Sequence, residues 1–282
     1  MTAFLSLRSQ AVGGSVVDPR VLEDDGTTEA ASFRLIDFAL LSTMAAGRNV
    51  VFVAHGFNVS MSEGARSLRR LEAHLELPAS TLFFGVLWPG DYWLPVVNYP
   101  FEGDVAMDCG RRLATFCAEW LSGAQSYAFL SHSLGARVVL EAAQCLSRRV
   151  KLLCLAAGAV NRDCLSGEYA GADANSDDIQ LLASRSDLVL KLAYPLGDPI
   201  ADLLHQDHAL FTPALGYNGP PTPALEPITP PWQIADAADY GHSDYFPPSD
   251  FSANDAVAAP AKWLRSAQFM ARALRGRLQD WP

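Results

Sequence analysis

The first feature of the sequence that suggests chemistry is the pentapeptide Ser131-His132-Ser133-Leu134-Gly135. It matches the Gly-x-Ser-x-Gly nucleophile elbow, with serine in place of the first glycine. In that motif the central serine stands on a sharp turn between a strand and a helix, so the positions two before and two after it must be small. Gly135 meets this need fully, and Ser131 meets it with a small side chain. We therefore predict Ser133 as a nucleophile.

The residues on either side of the pentapeptide fit this interpretation. Tyr127, Phe129 and Leu130 predict a buried strand before it. Apolar residues then recur at helical spacing at positions 138, 139, 142, 143 and 146. A serine hydroxyl is a weak nucleophile unless a base takes its proton, and that base needs a group to orient it. The sequence should therefore also supply a histidine and an acid.

Three histidines follow Ser133, at positions 205, 208 and 242. Enzymes with this elbow carry their residues in the order serine, acid, histidine. We predict His242 as the base, because it lies between a segment at 232–235 that we expect to be the last strand and the final helix. His205 and His208 lack that context. His132 adjoins the nucleophile, and on a tight turn its ring points the wrong way to take the proton.

Two aspartates follow predicted strands after the elbow and could orient His242. Asp187 closely follows the strand expected at 179–183, where the acid of such a fold usually lies. Asp163 trails the strand expected at 150–157 by several residues and adjoins Arg162, which could pair with it. We predict Asp187 as the acid and keep Asp163 as the alternative. Asp187 also suits a helix N-cap, and a carboxylate has enough oxygen acceptors for both roles.

A tetrahedral intermediate needs two N–H donors, which together form an oxyanion hole. One candidate is the backbone of Leu134, directly after the nucleophile. The other is the backbone of Phe57 in His55-Gly56-Phe57-Asn58, which follows a continuous apolar run at 49–54. Gly56 would let this loop approach closely. We expect the His55 ring to bond nearby backbone as a scaffold.

Several residues are candidates for a substrate pocket, namely His55, Asn58, His132, Trp93 and Phe101. The last two belong to an aromatic loop at 90–103 that follows a predicted strand end. This loop would form a lid or line an acyl pocket, or else only pack onto the body of the protein. A second loop, at 212–231, is rich in proline and is expected to cover the fold.

Apolar segments predict the elements that position these residues. We expect an edge strand at 3–8, a loop at 11–30, a helix at 33–44, buried strands at 49–54 and 81–88, a helix at 105–121 and a closing helix after Pro260. Strands that alternate with helices indicate the α/β class, with a mostly parallel sheet and helices on both faces. Sites in such sheets lie beyond the carboxyl ends of the strands. We expect one domain over residues 1–282.

Composition narrows the function further. The net charge is 21 − 31 = −10, which disfavours nucleic acid as a partner. Five scattered cysteines without a Cys-x-x-Cys pair indicate buried thiols in a reducing compartment. No phosphate-binding glycine loop and no cluster with metal-ligand spacing is present, so we expect neither a cofactor nor a metal. No secretory signal and no apolar run of membrane-spanning length is evident, which predicts a cytoplasmic protein.

The order of these motifs resembles that of the α/β-hydrolases, and more narrowly of a bacterial group of hydrolases whose substrates are poorly assigned. The resemblance covers about residues 48–246 and rests on the segments His55–Asn58, Trp88-Pro89, His132–Gly135, Asn161–Asp163, Ser184–Leu192 and His242-Ser243. Ser131 and Asp244 depart from the pattern. The resemblance implies a Ser133, Asp187, His242 triad.

We therefore expect a serine hydrolase that cleaves small carboxylic esters through an acyl-serine intermediate. A thioesterase or an amidase would use the same residues, and the sequence does not separate these three. The alternative from another class is a hydrolase-like domain without catalysis that serves as a binding module. Nothing in the sequence predicts the oligomeric state.

Overall fold

The computed structural model describes residues 2–11, 13–24, 33–91, 102–192, 213–221, 227–249, 261–276 and 281. Within these ranges the strands are β1 (Thr2–Arg8), β2 (Val16–Asp24), β3 (Arg34–Leu35), β4 (Asn49–Ala54), β5 (Thr81–Leu87), β6 (Ser126–His132), β7 (Leu152–Ala156), β8 (Ile179–Leu182) and β9 (Ile228–Thr229). They form one sheet in the order β3-β2-β1-β5-β4-β6-β7-β8-β9. The β1–β2 and β2–β3 pairs are antiparallel, and all other pairs are parallel. The predicted mostly parallel sheet is confirmed.

The middle of this sheet is apolar because its strands are covered on both faces. In β4, every residue from Val50 to Ala54 is buried. Phe52 stacks between Phe84 of β5 and Phe129 of β6, with ring centroids 5.3 and 5.4 Å apart. These three aromatic rings lie on neighbouring strands at matching register positions, so their cross-strand contacts stabilise the centre of the sheet.

The helices in the described ranges are α1 (Phe38–Ala45), α2 (Met61–His74), α3 (Glu102–Trp120), α4 (Gly135–Cys145), α5 (Ala170–Ala174), α6 (Leu188–Leu192), α7 (Leu215–Asn218) and α8 (Lys262–Leu274). Helix α2 packs against α8, whereas α1, α3, α4 and α5 pack in a second group. Crossover connections of parallel strands are right-handed. The β4-α2-β5 crossover runs in one direction along the sheet and the β5-α3-β6 crossover in the other, so α2 and α3 cover opposite faces.

Four predictions need correction. The strand predicted at the edge of the sheet, β1, instead lies between β2 and β5. Residues 16–24 form β2 rather than a loop, although the segment contains Pro19 and three acidic residues, because β1 supplies an antiparallel partner. The predicted helix at 33–44 begins only at Phe38, after Asp37 caps it by accepting from the Ala39 N–H at 2.9 Å. The last strand is Ile228–Thr229 rather than 232–235, where only Gln233 bridges to Ala183.

The closing helix predicted after Pro260 is confirmed as α8, although its predicted member Leu278 lies outside the described residues. The strands predicted at 49–54, 81–88, 150–157 and 179–183 are also confirmed, to within two residues at each end. No helix in the described ranges is both long enough and apolar enough to cross a membrane.

Candidate active site

Ser133 stands on a sharp turn between β6 and α4. Its φ is +54°, a left-handed conformation that costs a residue with a side chain roughly 1–2 kcal/mol. The turn is held by three backbone hydrogen bonds. The Ser133 N–H donates to the Ala156 carbonyl at 3.0 Å, and the Ser133 carbonyl accepts from Ala136 and Ala159 at 3.0 and 3.1 Å. The conformation expected of a nucleophile elbow is therefore present.

The two small positions around the turn differ in how strictly they are constrained. A Cβ added to Gly135 would lie 2.4 Å from the His55 carbonyl oxygen and 2.9 Å from that of Ala54, so only glycine fits. Ser131 is fully buried between Ala54 and Leu155 on the neighbouring strands. Its hydroxyl finds no hydrogen-bond partner among the described residues. The first glycine of the motif can thus be replaced by serine at the cost of a buried hydroxyl without a partner.

A chain of two hydrogen bonds joins the three residues predicted as a triad. His242 Nε2 lies 2.9 Å from Ser133 Oγ, and His242 Nδ1 lies 2.8 Å from Asp187 Oδ2. Because a carboxylate can only accept, Nδ1 carries the proton and Nε2 is left to accept from the serine hydroxyl. Ser133 is 5% exposed and Asp187 is fully buried, while the His242 side chain is 17% exposed. This arrangement is able to withdraw a proton from the serine.

Asp187 makes both of the contacts that its position suggested. Its Oδ2 contacts His242, and its Oδ1 accepts from the Leu190 N–H at 3.0 Å, which caps helix α6. The alternative acid, Asp163, is exposed, and the neighbouring Arg162 donates to the Pro220 carbonyl at 2.9 Å. The structure therefore brings Asp187, and not Asp163, to the histidine.

Asp244, which departs from the resembled pattern, closes the short 3₁₀ turn that carries His242. Its Oδ2 accepts from the Gly241 N–H at 2.8 Å and pairs with Lys262 Nζ at 3.0 Å. On the other side of the turn, Ser184 Oγ donates to the Tyr240 carbonyl at 2.8 Å. The histidine is thus anchored both to α8 and to the segment that precedes Asp187.

His132 was a candidate for the pocket, but its ring is packed against the turn of His242. Its Nε2 lies 2.8 Å from the His242 carbonyl oxygen and therefore donates the hydrogen bond. The centroids of the two imidazole rings are 4.8 Å apart, and the ring centroid of Phe246 lies 5.3 Å from that of His132. Burial, aided by the nearby His242, lowers the pKa of His132 to about 3. His132 is therefore a neutral ring that connects the elbow to the His242 turn, a contact that the sequence analysis missed.

Residues 55–59, which we call the 55–59 loop, lie directly beside the elbow. A Cβ added to Gly56 would stand 3.0 Å from Ser133 Cβ and 2.9 Å from His132 Nδ1, so glycine permits this contact. Phe57 of this loop is half-buried, and Leu134 directly precedes helix α4. The next residue, Asn58, is exposed and has a φ of +56°.

The ring of His55 is 2% exposed and serves the backbone, as the scaffold interpretation predicts. Its Nδ1 donates to the Gly56 carbonyl at 2.8 Å, and its Nε2 accepts from the Trp88 N–H at 3.3 Å. Burial lowers its pKa to about 4. Since both nitrogens are engaged and the ring is buried against Trp88, His55 does not present its side chain to a substrate.

The remaining pocket candidates belong to the aromatic loop predicted at 90–103. Trp93 and Phe101 lie outside the described residues, as do most of the 90–103 loop, parts of the 212–231 loop, and His205 and His208. Within the described ranges, no group of three or more His, Cys, Asp and Glu side chains is arranged to hold a metal ion.

Comparison with known proteins places these observations in context. The model of a family described as α/β-hydrolases of unknown function, DUF900, matches residues 35–203, which is more than half of the chain. No curated protein sequence is significantly similar. Among solved structures, esterase PE8 is 17% identical with a TM-score of 0.44, covering 83% of this chain and 94% of its own. Esterase B from Lactobacillus rhamnosis is 12% identical with a TM-score of 0.37, covering 82% and 79%.

Proposed function

Because the chain belongs to the DUF900 family of α/β-hydrolases, we propose that it is a serine hydrolase that cleaves carboxylic esters through an acyl-serine intermediate. The observation that carries this proposal is the hydrogen-bond chain from Ser133 through His242 to Asp187, which starts at a residue with a positive φ. A serine held only for structure would not need a buried carboxylate at the far end of such a chain. We further propose that residues 1–282 form a single domain.

In the first half of the proposed reaction, Ser133 Oγ attacks the ester carbonyl carbon and its proton moves to His242 Nε2. Asp187 Oδ2 accepts from Nδ1 and so stabilises the imidazolium that forms. The carbonyl oxygen becomes an oxyanion, for which the backbone N–H groups of Leu134 and Phe57 are the proposed donors. When the intermediate collapses, the C–O bond to the leaving alcohol breaks and Nε2 returns the proton to that oxygen.

In the second half, water takes the place of the alcohol. His242 Nε2 removes one of its protons, the hydroxide oxygen attacks the acyl carbon, and collapse returns the proton to Ser133 Oγ. The products are a carboxylic acid and the regenerated serine. Every proton moves among these side chains, water and the substrate, so the proposed cycle closes without a cofactor.

Labelling with a fluorophosphonate tests whether the serine is activated. We expect the wild-type protein to be labelled, Ser133→Ala to be unlabelled and inactive on short aryl esters, and Asp163→Asn to react like the wild type. Asp163 is a suitable control because it is exposed and takes no part in the hydrogen-bond chain. Ser133→Ala should retain its thermal midpoint, since the hydroxyl makes no contact needed by the sheet. A wild-type protein that is neither labelled nor active would contradict the proposal and favour a binding module.

A matched set of an ester, a thioester and an amide with the same acyl group then tests the substrate class. The three differ in the leaving group, and therefore in how much the final proton transfer from His242 contributes. We expect kcat/KM to be highest for the oxygen ester. A thioester or amide that is consumed faster would retain the serine mechanism but change the substrate class.

A further inference from the structure

A fully buried arginine lies at the carboxyl end of β1, on the edge of the sheet where the site is built. Arg8 is 1% exposed, which is rare for a residue whose charge cannot be removed. Its Nη2 donates to both oxygens of Asp91 at 2.6 and 2.7 Å, and Asp91 is itself 5% exposed. Desolvating two charges is costly, and such a pair is often no more stabilising than apolar side chains of the same size. Stability alone is therefore a weak reason for this pair.

Arg8 Nε donates locally, to the Ser9 carbonyl at 3.2 Å. The other long-range contacts of its guanidinium indicate what the pair holds in place. Its Nη1 donates to the carbonyl of Val59 at 3.3 Å and to that of Trp88 at 3.4 Å. Val59 ends the 55–59 loop, and Trp88 begins the residues 88–91 that follow β5, which we call the 88–91 loop. One guanidinium thus reaches the backbone of both loops, while its partner Asp91 belongs to the second of them.

The two loops are also bonded directly to each other. The Asn58 N–H donates to the Gly90 carbonyl at 2.6 Å, and the indole Nε1 of Trp88 donates to the His55 carbonyl at 2.8 Å. These bonds flank Phe57 in the sequence on both sides. The 88–91 loop is therefore the surface on which the 55–59 loop rests, and Arg8 with Asp91 fixes that surface to β1.

We propose that Arg8 and Asp91 are positioning residues for catalysis, which hold the 55–59 loop so that the Phe57 N–H meets the developing oxyanion. The inference rests on the proposed function. Neither residue touches the substrate. They act through the 88–91 loop, and loosening them should impair stabilisation of the transition state more than binding of the substrate.

The experiment compares Arg8→Lys and Asp91→Asn with a matched control pair. Arg8→Lys keeps the charge but loses the second donor nitrogen, and Asp91→Asn keeps the shape but loses the charge. The control is Arg69 with Asp24, which meet at 2.8 Å with the Asp24 side chain fully buried. Asp24 faces Thr2 at the opposite end of β1, six residue steps or about 20 Å from Arg8. Arg69→Lys and Asp24→Asn therefore perturb a comparable ion pair away from the site.

All variants are assayed with an aryl ester and with the matching thionoester, after thermal melts and near-ultraviolet circular dichroism identify those that are folded. A thiocarbonyl sulfur is a poor hydrogen-bond acceptor, so an ester gains more from an oxyanion donor than a thionoester does. We expect Arg8→Lys and Asp91→Asn to lower kcat for the ester about 10- to 100-fold. This is at or below the loss of about 10²- to 10³-fold for removal of one oxyanion donor, because the variants displace the donor without removing it. KM should change less than about twofold, and the ester-to-thionoester ratio should fall.

The control variants should keep kcat and the ester-to-thionoester ratio within about twofold of the wild type. This should hold even if their thermal midpoints fall as much as those of Arg8→Lys and Asp91→Asn. Wild-type kinetics in either folded site variant would overturn the inference while leaving the proposed function intact. The same is true of an equal loss of kcat in the control variants, which would indicate a general effect of stability. A wild-type protein without activity or fluorophosphonate labelling would instead overturn the proposed function, and this inference with it.

Discussion

Replacing Asp187 with asparagine tests the hydrogen-bond chain at its buried end. The change removes one charge and leaves the shape of the side chain almost unaltered. Asp187 uses both of its oxygens, since Oδ1 accepts from the Leu190 N–H and Oδ2 from His242 Nδ1. An asparagine has only one acceptor oxygen, so it can satisfy only one of these two donors.

The hydrogen bond from the Leu190 N–H, which caps α6, determines how the asparagine amide is oriented. If the amide oxygen faces Leu190, the hydrogen bond that starts α6 is kept, and the NH₂ group faces His242 Nδ1. The opposite orientation would place two donors against each other at Leu190. With the NH₂ group donating to it, Nδ1 must be unprotonated, so the imidazole proton moves to Nε2. A protonated Nε2 cannot take a proton from Ser133.

The expected loss in kcat is about 10⁴-fold, by analogy with the wrong-tautomer variant of serine proteases. That corresponds to about 5.5 kcal/mol of transition-state stabilisation. The thermal midpoint should change little, because the hydrogen bond that caps α6 is kept and asparagine fills the same space as aspartate. Steady-state hydrolysis of an aryl ester measures kcat, and Asp163→Asn is the matched control because Asp163 is the exposed aspartate after the preceding strand.

A folded Asp187→Asn variant that keeps more than about a tenth of the wild-type kcat would refute this reasoning, because a misplaced tautomer cannot act as the base. A large loss in Asp163→Asn with little loss in Asp187→Asn would move the acid to Asp163 and leave Asp187 as a helix cap. Equal losses in both variants, with lowered thermal midpoints, would indicate damage to the fold rather than to the proton path.

Three further predictions concern the elbow, the His132 ring and the aromatic loop at 90–103. Gly135→Ala should lower both the thermal midpoint and kcat, because the added Cβ would meet the His55 carbonyl at 2.4 Å, whereas Gly158→Ala, with its nearest atom at 3.6 Å, should be tolerated. His132→Phe should make the free energy of unfolding less sensitive to acid. The folded protein holds His132 neutral with a pKa of about 3, so in the wild type this free energy falls below pH 6.5, by about 2 kcal/mol between pH 7 and pH 5. Trp93→Ala should raise KM for long acyl esters more than for acetate.

Each of these predictions has a measurement that can contradict it. Equal melting curves for Gly135→Ala and Gly158→Ala would mean that the backbone around position 135 can shift to accommodate a Cβ. The sign of the His132 effect follows from the protons bound: below pH 6.5 the unfolded chain binds a proton at His132 that the folded protein does not bind. The free energy of unfolding by denaturant should therefore differ less between pH 7 and pH 5 in the phenylalanine variant than in the wild type. An equal rise in KM for short and long esters would mean that Trp93 only packs its loop.

The central strands and the elbow were predictable because local sequence determines them. A run such as 49–54 is apolar almost throughout because both faces of the strand are covered. The residues around Ser133 are small because larger side chains would clash at the tight turn. The β2 strand was not predictable in this way. Its segment carries Pro19 and acidic residues that favour a loop, and only the presence of β1 alongside makes it a strand.

The long-range contacts of the site could be anticipated only in part. The order of serine, acid and histidine along the chain identified three residues that the fold brings together, because parallel strands all end at one edge of the sheet. The sequence left Asp163 and Asp187 in competition, and it contains no signal for the long-range partners of the Arg8 guanidinium, which are 51 to 83 residues away. An arginine at the end of an apolar strand was the available clue, since a charge there must either reach solvent or find a partner.

The three histidines around the elbow illustrate why burial matters as much as residue type. His55 and His132 are held neutral by burial, with pKa values near 4 and 3, and each uses a ring N–H to hold a backbone carbonyl. If His132 were charged, its ring at 4.8 Å would oppose the proposed protonation of His242 by roughly 3.5 kcal/mol at an effective dielectric constant of about 20. That would slow acylation about 300-fold at 1.36 kcal/mol per tenfold. Keeping its neighbour neutral therefore leaves His242 as the ring of this cluster that can take up the proton of the serine.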